Sequence, residues 1–349
     1  MAFTTIDDPS AYFHIQLYTG SGSEKNITND ANAGDFKPDL IWIKQRNATT
    51  DHGMFDSTRG VTKNLKTNVT DAESTEVQSV KTFNTDGFTL GTSGDYNGSS
   101  DTHVAWQWKC NGGTTSTNDD GTVDVTIQVN STAGFSIMKW TGAGNTTSTV
   151  GHGLGVKPHF IINKGLESAQ NWSVAWPYDE TAKLMALNTT AGFFSASGMS
   201  SYNASTFVDG SGGDAEDRLA LCWKEVQGYS KFGSYTGNGA EPDGPFIYTG
   251  FSPAWMIIHG SSEDGQGWVL CDHKRDIDNI AVHKLFSNVT AAESSAVGDN
   301  NWDFLSNGFK IKTQDDGMNK SGVTFHYAAF AASPFVTSDD GGSIPATAR

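Results

Sequence analysis

The side chains of this chain that can do chemistry are nine histidines, 39 carboxylates and three cysteines, interspersed with 39 glycines. Four of the histidines, His259, His273, His283 and His326, fall in the last third of the chain. Zinc needs two or three neutral imidazoles to converge, often with a carboxylate such as Asp272. The spacing shows no such convergence, and His259 and His326 are expected on strands, as side chains on a sheet surface. Acidic pairs followed by glycine occur at Asp119-Asp120-Gly121, Asp315-Asp316-Gly317 and Asp339-Asp340-Gly341. Their oxygens suit Ca²⁺, but none has the spacing or the distal glutamate of a calcium loop, and turn chemistry explains them. Gly151-His152-Gly153-Leu154-Gly155 lies between two expected strands, where no helix N-terminus is available for phosphate, and it reads as a hairpin turn. No GxSxG elbow, HExxH helix or Walker loop is present. Opposed carboxylates can make a glycosidase, but a chain with 39 acids contains such pairs by accident. The expectation is therefore no catalytic residue, no metal and no cofactor.

The ten tryptophans are a different resource, because an exposed flat ring stacks on a sugar. Most sit at matching positions of a repeat described below and are expected in cores. Trp176 and Trp302 lack a counterpart in every copy, which makes them the candidate glycan-stacking residues.

Positioning these side chains falls to a unit that recurs three times. Aromatic-Thr-Gly-x-Gly appears at Tyr18–Gly22, Trp140–Gly144 and Tyr235–Gly239, and each copy is followed by a proline that opens an apolar run, Pro38, Pro158 or Pro253. An Asn-x-Thr triplet follows at Asn68, Asn188 and Asn288, and an aromatic-rich segment closes each copy at 103–109, 218–224 and 325–330. Without a signal peptide, the triplets read as turn-forming Asn and β-favouring Thr rather than glycosylation acceptors. The copies span 1–112, 134–227 and 228–336. Residues 113–133 form a linker with a possible strand in VDVTIQV, the last two copies should pack as a rigid pair, and 337–349 form a flexible tail.

Within the copies, short runs such as FSIMKW, FIIN and WMIIH are rich in β-branched and aromatic residues and bounded by Gly, Asn, Asp or Ser. LIWI and WMII are continuous and should be buried on both sides. Each proline is expected at the first position of its strand, where its missing N–H is harmless. DAESTEVQSVKTF and NVTAAESSAV suggest short turns of helix. The predicted fold class is all-β: three tandem antiparallel β-sandwich repeats, jelly-roll or concanavalin-like.

Composition narrows the partners. With 23 Lys+Arg against 39 Asp+Glu, the net charge is −16, which argues against nucleic acid. The N-terminus has no basic region followed by an apolar run, and no stretch is long enough for a membrane helix, so neither a signal peptide nor membrane insertion is expected. Cys110, Cys222 and Cys271 are odd in number and far apart, and are expected as buried thiols in a protein made in a reducing cytoplasm.

The opening FTTIDDPSAYFHIQLYTGSG, the string GHGLGVKP, the phrase YTGNGAEPDGPFIYTGFSPAW and the ending FKIK…YAAFAASPF resemble an uncharacterised repeat protein of marine bacteriophage genomes. The resemblance covers about 1–336. It implies a virion structural component, tail-fibre-like or capsid-associated, assembled in the host cytoplasm, with other virion proteins and a host surface glycan as partners. It supplies no catalytic residues. The apolar-to-Lys run of the first two copies becomes Met-Ile-Ile-His259 in the third. The expected function is a non-enzymatic virion protein, tail-fibre-like or receptor-binding, with capsid decoration or a head fibre as the alternative. A homo-oligomer, a trimer, is expected by analogy with virion β-proteins. A carbohydrate-binding array and a glycan-degrading enzyme are the competing classes.

Overall fold

The computed structural model describes residues 4–30, 36–144, 147–179, 183–195, 198–210, 215–295 and 301–334. The tail, 337–349, and the Asp339-Asp340-Gly341 turn lie outside them. The fold is all-β: the helical elements among the described residues are Pro9–Ala11, Gly94–Asn97 and Asp316–Asn319.

One strand order occurs three times. In the first large sheet Phe13–Thr19 pairs with Thr102–Trp108, which pairs with Leu40–Gln45, then Gly53–Asp56. The second runs Phe135–Thr141, Asp217–Trp223, Phe160–Gly165, Ser173–Ala175, and the third Ser230–Thr236, Thr324–Pro334, Phe251–Gly260, Val269–Asp272. Every pairing is antiparallel. A small three-stranded sheet accompanies each large one: Lys25–Ile27 with Phe88–Leu90 and Val80–Phe83; Ser148–Gly151 with Thr206–Asp209 and Met199–Ser200; Phe246–Tyr248 with Gly308–Ile311 and Trp302–Leu305.

Strand alternation explains why the central strands are apolar throughout. Ile41 and Ile43 face the small sheet of their own unit, while Leu40 and Trp42 face a core shared by all three units. Met256 and Ile258 divide from Trp255 and Ile257 in the same way. At the centre, Trp108, Trp223 and Phe330 come from register-equivalent positions of the three large sheets. Their ring centroids lie 6.2, 5.7 and 6.3 Å apart, a triangle about a pseudo-threefold axis. The units are sectors of one body rather than independent sandwiches.

Several local expectations are corrected. The strand expected in VDVTIQV is present as Val125–Asn130, but residues 113–133 also hold a second, Ser116–Asn118, and the two extend the edge of the second large sheet rather than simply linking. Pro38 and Pro158 lie just before their strands, but Pro253 lies inside one, at a register shift that tolerates its missing donor. The two helix-like segments are not helical where described. Lys63–Asn64 pairs with Ser74–Thr75, Val80–Phe83 is a strand, and Ser294 bridges to Lys284. The amides of Glu73 and Glu293 bond Leu166 and Arg46 carbonyls in neighbouring units, which removes them from any helical ladder.

The seams and a candidate binding face

The Asn-x-Thr loops close the ring. Asn68, Asn188 and Asn288 each accept a backbone hydrogen bond, from His52, Trp172 and Trp268, at 2.9–3.0 Å. These three donors in turn reach the preceding unit through their side chains. Trp172 Nε1 donates to Lys66 O at 3.0 Å, and Trp268 Nε1 to Ala186 O at 2.9 Å. Trp42 donates to His52 Nδ1, so His52 carries its proton on Nε2, which lies 2.9 Å from Phe286 O. Backbone bonds repeat the cycle: Gln170 N to Thr70 O, Gly265 N to Thr190 O and Thr50 N to Thr290 O. The triplets thus stitch unit one to two, two to three, and three back to one.

The apolar-to-Lys runs serve the same loops. Lys44 Nζ lies 2.7 Å from Gln45 O and 3.3 Å from Ala48 O; Lys164 Nζ contacts Gly165 O, and Thr70 O of the preceding unit at 3.2 Å. Burial pushes both amines down to about 8. His259, at the equivalent position, stacks on Trp268 at 4.2 Å and reaches Ala191 O at 2.9 Å. It is buried rather than on the sheet surface, as is His326, because the large sheet is covered on both faces.

Burial holds His52 down to about 3 and His259 to about 4, far below a free imidazole. Their neutral forms therefore contribute stability that is fully present above pH 6.5 and is lost as pH falls toward those values. Each is expected to remove about 1.4 kcal/mol per pH unit below 6.5, where the unfolded chain takes up protons that the fold excludes. Urea midpoints at pH 7.0, 5.5 and 4.5 check this; no decline across that series would refute it, and His259→Gln should flatten the slope.

The three seams differ in how they are sealed. Between units three and one, Arg275 Nε lies 2.5 Å from Asp272 Oδ2, Arg275 Nη1 3.1 Å from Glu293, and Arg46 2.7 Å from Glu293. At the seam of units one and two the equivalent ion pairs stay within unit one, Arg59 Nε lying 2.5 Å from Asp56 Oδ2 and Nη1 3.0 Å from Glu73, and the Glu73 amide crosses to Leu166 O at 2.8 Å. Between units two and three the register-equivalent residues are Trp176, Asp179 and Phe193, and a groove of roughly 270 Å³ lies beside Phe193 and His326. There Ser261 Oγ lies 2.8 Å from His326 Nδ1, and Asp179 Oδ2 3.3 Å from His326 Nε2. This is the element set of a nucleophilic triad. The Ser261 hydroxyl also lies 3.0 Å from the Thr324 carbonyl and the residue is 2% exposed, so it ties a loop to a strand.

A cleft of about 490 Å³ lies where Phe13 and Ile15 meet the third unit. On its rim Lys274 Nζ lies 2.7 Å from Asp30, which is 3.6 Å from His14 Nε2. Among the described residues no group of three His, Cys, Asp or Glu side chains is arranged to hold a metal ion. Asp315 caps the short helix at Asp316–Asn319 by accepting from Gly317 N, and Asp120 Oδ2 accepts from Asn118, which is turn chemistry. His152 is likewise a turn anchor, accepting from Leu154 N at 3.2 Å. All three cysteines are buried and free.

Trp176 and Trp302 do not form a sugar platform. They are 1% and 0% exposed. Trp176 packs on Phe160 and Trp268 at 4.6 and 5.9 Å, and Trp302 lies in the core between the third pair of sheets. Lacking a counterpart in the repeat reflected a changed seam for Trp176, not an outward ring. Among the described residues the half-exposed rings are elsewhere: Tyr178 at 52%, Phe246 at 48% and Tyr248 at 55%. Tyr178 is as exposed as the other two but stands alone, and its ring is already engaged, stacked on His159 at 4.1 Å with Lys157 Nζ 4.1 Å from its centroid.

Phe246 and Tyr248 are two residues apart on one strand, so both point outward while Ile247 between them is buried against the core. Across the ladder, Phe246 faces Lys310, which faces Asp303; Tyr248 faces Gly308, which faces Leu305. A Cβ on Gly308 would strike Ile247 O and meet Phe246 Cε2 at 3.1 Å, so the ring leans over a position that only glycine can fill. Asp243 lies 4.0 Å from Lys310, and Lys312 Nζ 3.2 Å from Asp303. The other outer sheets carry no such pair. Register places Asn26 and Thr28 there in unit one, and Thr149 and Gly151 in unit two. The sequence signal was available in FIY opposite FKIK, but that pattern equally describes any half-buried strand pair.

No curated protein and no solved structure matches the chain. The family model of a domain of unknown function, DUF7483, matches residues 8–334, which takes in all three units and every seam between them. The chain therefore belongs to the DUF7483 family.

Proposed function

We propose that this chain is a non-enzymatic structural component of a bacteriophage virion that contributes to host attachment. The observation that carries the reading is a rigid, ring-closed β body that displays one uncovered aromatic pair, Phe246 and Tyr248, on its outermost sheet. A ring stitched by side chains and backbone at every seam holds such a face without the lid or hinge an enzyme uses to close on substrate. The likeness of the long phrases to marine phage repeat proteins supplies the virion setting, with other virion proteins as partners. The faces that close the ring are consumed within one chain, so contacts between copies use the outer sheets. Mass spectrometry of purified particles, separated into heads and tails, tests the reading: the chain is expected in the tail fraction. Recovery in heads would favour the decoration role, and absence from particles would refute the proposal.

A further inference from the structure

The geometry points to the Phe246–Tyr248 face as a binding site for a neutral hexose chain, an inference that rests on the attachment reading and names the ligand of that face. Three observations carry it. First, the rings are preorganised: strand alternation turns both outward, the buried Ile247 anchors the strand between them, and the Phe246 ring rests over Gly308, where a side chain would displace it. Rigid half-exposed rings with hydrogen-bonding groups beside them suit the apolar face and hydroxyl rim of a pyranose, which needs both at once. Lys310 and Asp303 lie in the row that starts at Phe246, offering donors and acceptors to ring hydroxyls.

Second, the patch is the wrong size for a protein. A stable protein interface takes about 800 Å² from each partner, whereas two half-exposed rings amid polar residues supply on the order of 200 Å². Third, the electrostatics disfavour an anionic ligand. Asp243 and Asp303 flank the rings, each near a lysine, and the whole chain carries −16. An acidic polysaccharide would be repelled, while a neutral one meets paired charges that still present hydrogen-bonding atoms.

The internal comparison supports a site rather than chance exposure. In unit one the equivalent face is tied up in side-chain bonds, Thr89 Oγ1 to Asn26 at 2.7 Å and Asn84 to Thr89 at 3.1 Å. In unit two the Asn118 side chain sits against Gly151, the position equivalent to Tyr248, and Thr122 pairs with the backbone edge at Thr149, at 2.9 and 2.8 Å. The third unit has neither arrangement.

Isothermal titration of the full chain with cellohexaose, laminarihexaose and mannohexaose tests the site. At least one should bind, and Phe246→Ala/Tyr248→Ala should weaken it at least tenfold while leaving the melting temperature within a few degrees. Tyr178→Ala, at the exposed ring stacked on His159, should bind as the wild type does. No binding of any of the three by the wild type, or equal binding by the double variant, would overturn the inference. The particle experiment is independent. A chain found in tails that binds no hexose chain refutes this inference alone, and a chain that binds one but is absent from particles refutes only the virion reading.

Discussion

Arg275→Met is expected to lower the unfolding free energy by about 3–5 kcal/mol, because it strips the partner from a buried carboxylate. Asp272 is wholly buried and accepts from Arg275 Nε at 2.5 Å, from the Trp106 indole of unit one at 3.0 Å, and from the backbone of Arg275. Against the opposing effect of burial, Arg275 holds the Asp272 carboxyl below its usual range, and the hydrogen bond from Arg46 together with the Arg275 charge does the same for Glu293. Arg275 also donates to Leu270 O, so its loss opens a backbone acceptor as well. Most of the cost is the charge left behind rather than the attraction lost. Asp272→Met added to Arg275→Met should therefore recover a substantial part of the stability. Chemical denaturation of the wild type, the single variant and the double variant checks this. A double variant less stable than Arg275→Met would show that the hydrogen bonds Asp272 accepts from Trp106 and the backbone outweigh the cost of its stranded charge.

Trp255→Ala is expected to cost about 3–5 kcal/mol by leaving a cavity that the surroundings cannot fill. Its ring lies 5.5 Å from Trp108, 5.8 Å from Phe330, and 6.3–6.4 Å from Phe13, Trp42 and Trp106. Those partners belong to two units and four strands whose positions are set by closed sheets, so collapse around the hole is limited. Trp255→Phe keeps most of the volume and should lose far less. Unfolding should stay a single transition with unchanged denaturant dependence, because the damaged core is common to the ring. Two separated transitions in Trp255→Ala would show that the units unfold independently.

Much of the fold was readable from the chain. The all-β class follows from short β-branched and aromatic runs between turn residues, and double burial of LIWI and WMII follows from their lack of alternation. The recurring Thr-Gly-x-Gly also has a local cause. Gly22, Gly144 and Gly239 all take positive φ, 61–68°, and a side chain on Gly20 would strike the Gly98 carbonyl. Such requirements act within a few residues or one strand pair, where sequence spacing and spatial spacing agree.

What the sequence could not show was which ring of the repeat meets which. Trp176 and Trp302 looked dispensable to the core because they break the repeat, yet both are buried; Phe246 and Tyr248 looked like ordinary strand aromatics, yet both face outward. The Asn-x-Thr triplets looked like turns and are the clasps between units. The sequence alone determined the strand composition and the three recurring motifs, because backbone sterics and side-chain periodicity are local. Only the tertiary structure decided that the recurring segments close into one ring about Trp108, Trp223 and Phe330. It also decided which seam keeps its ion pairs and which aromatic face stays uncovered, because burial depends on neighbours more than a hundred residues away in the chain.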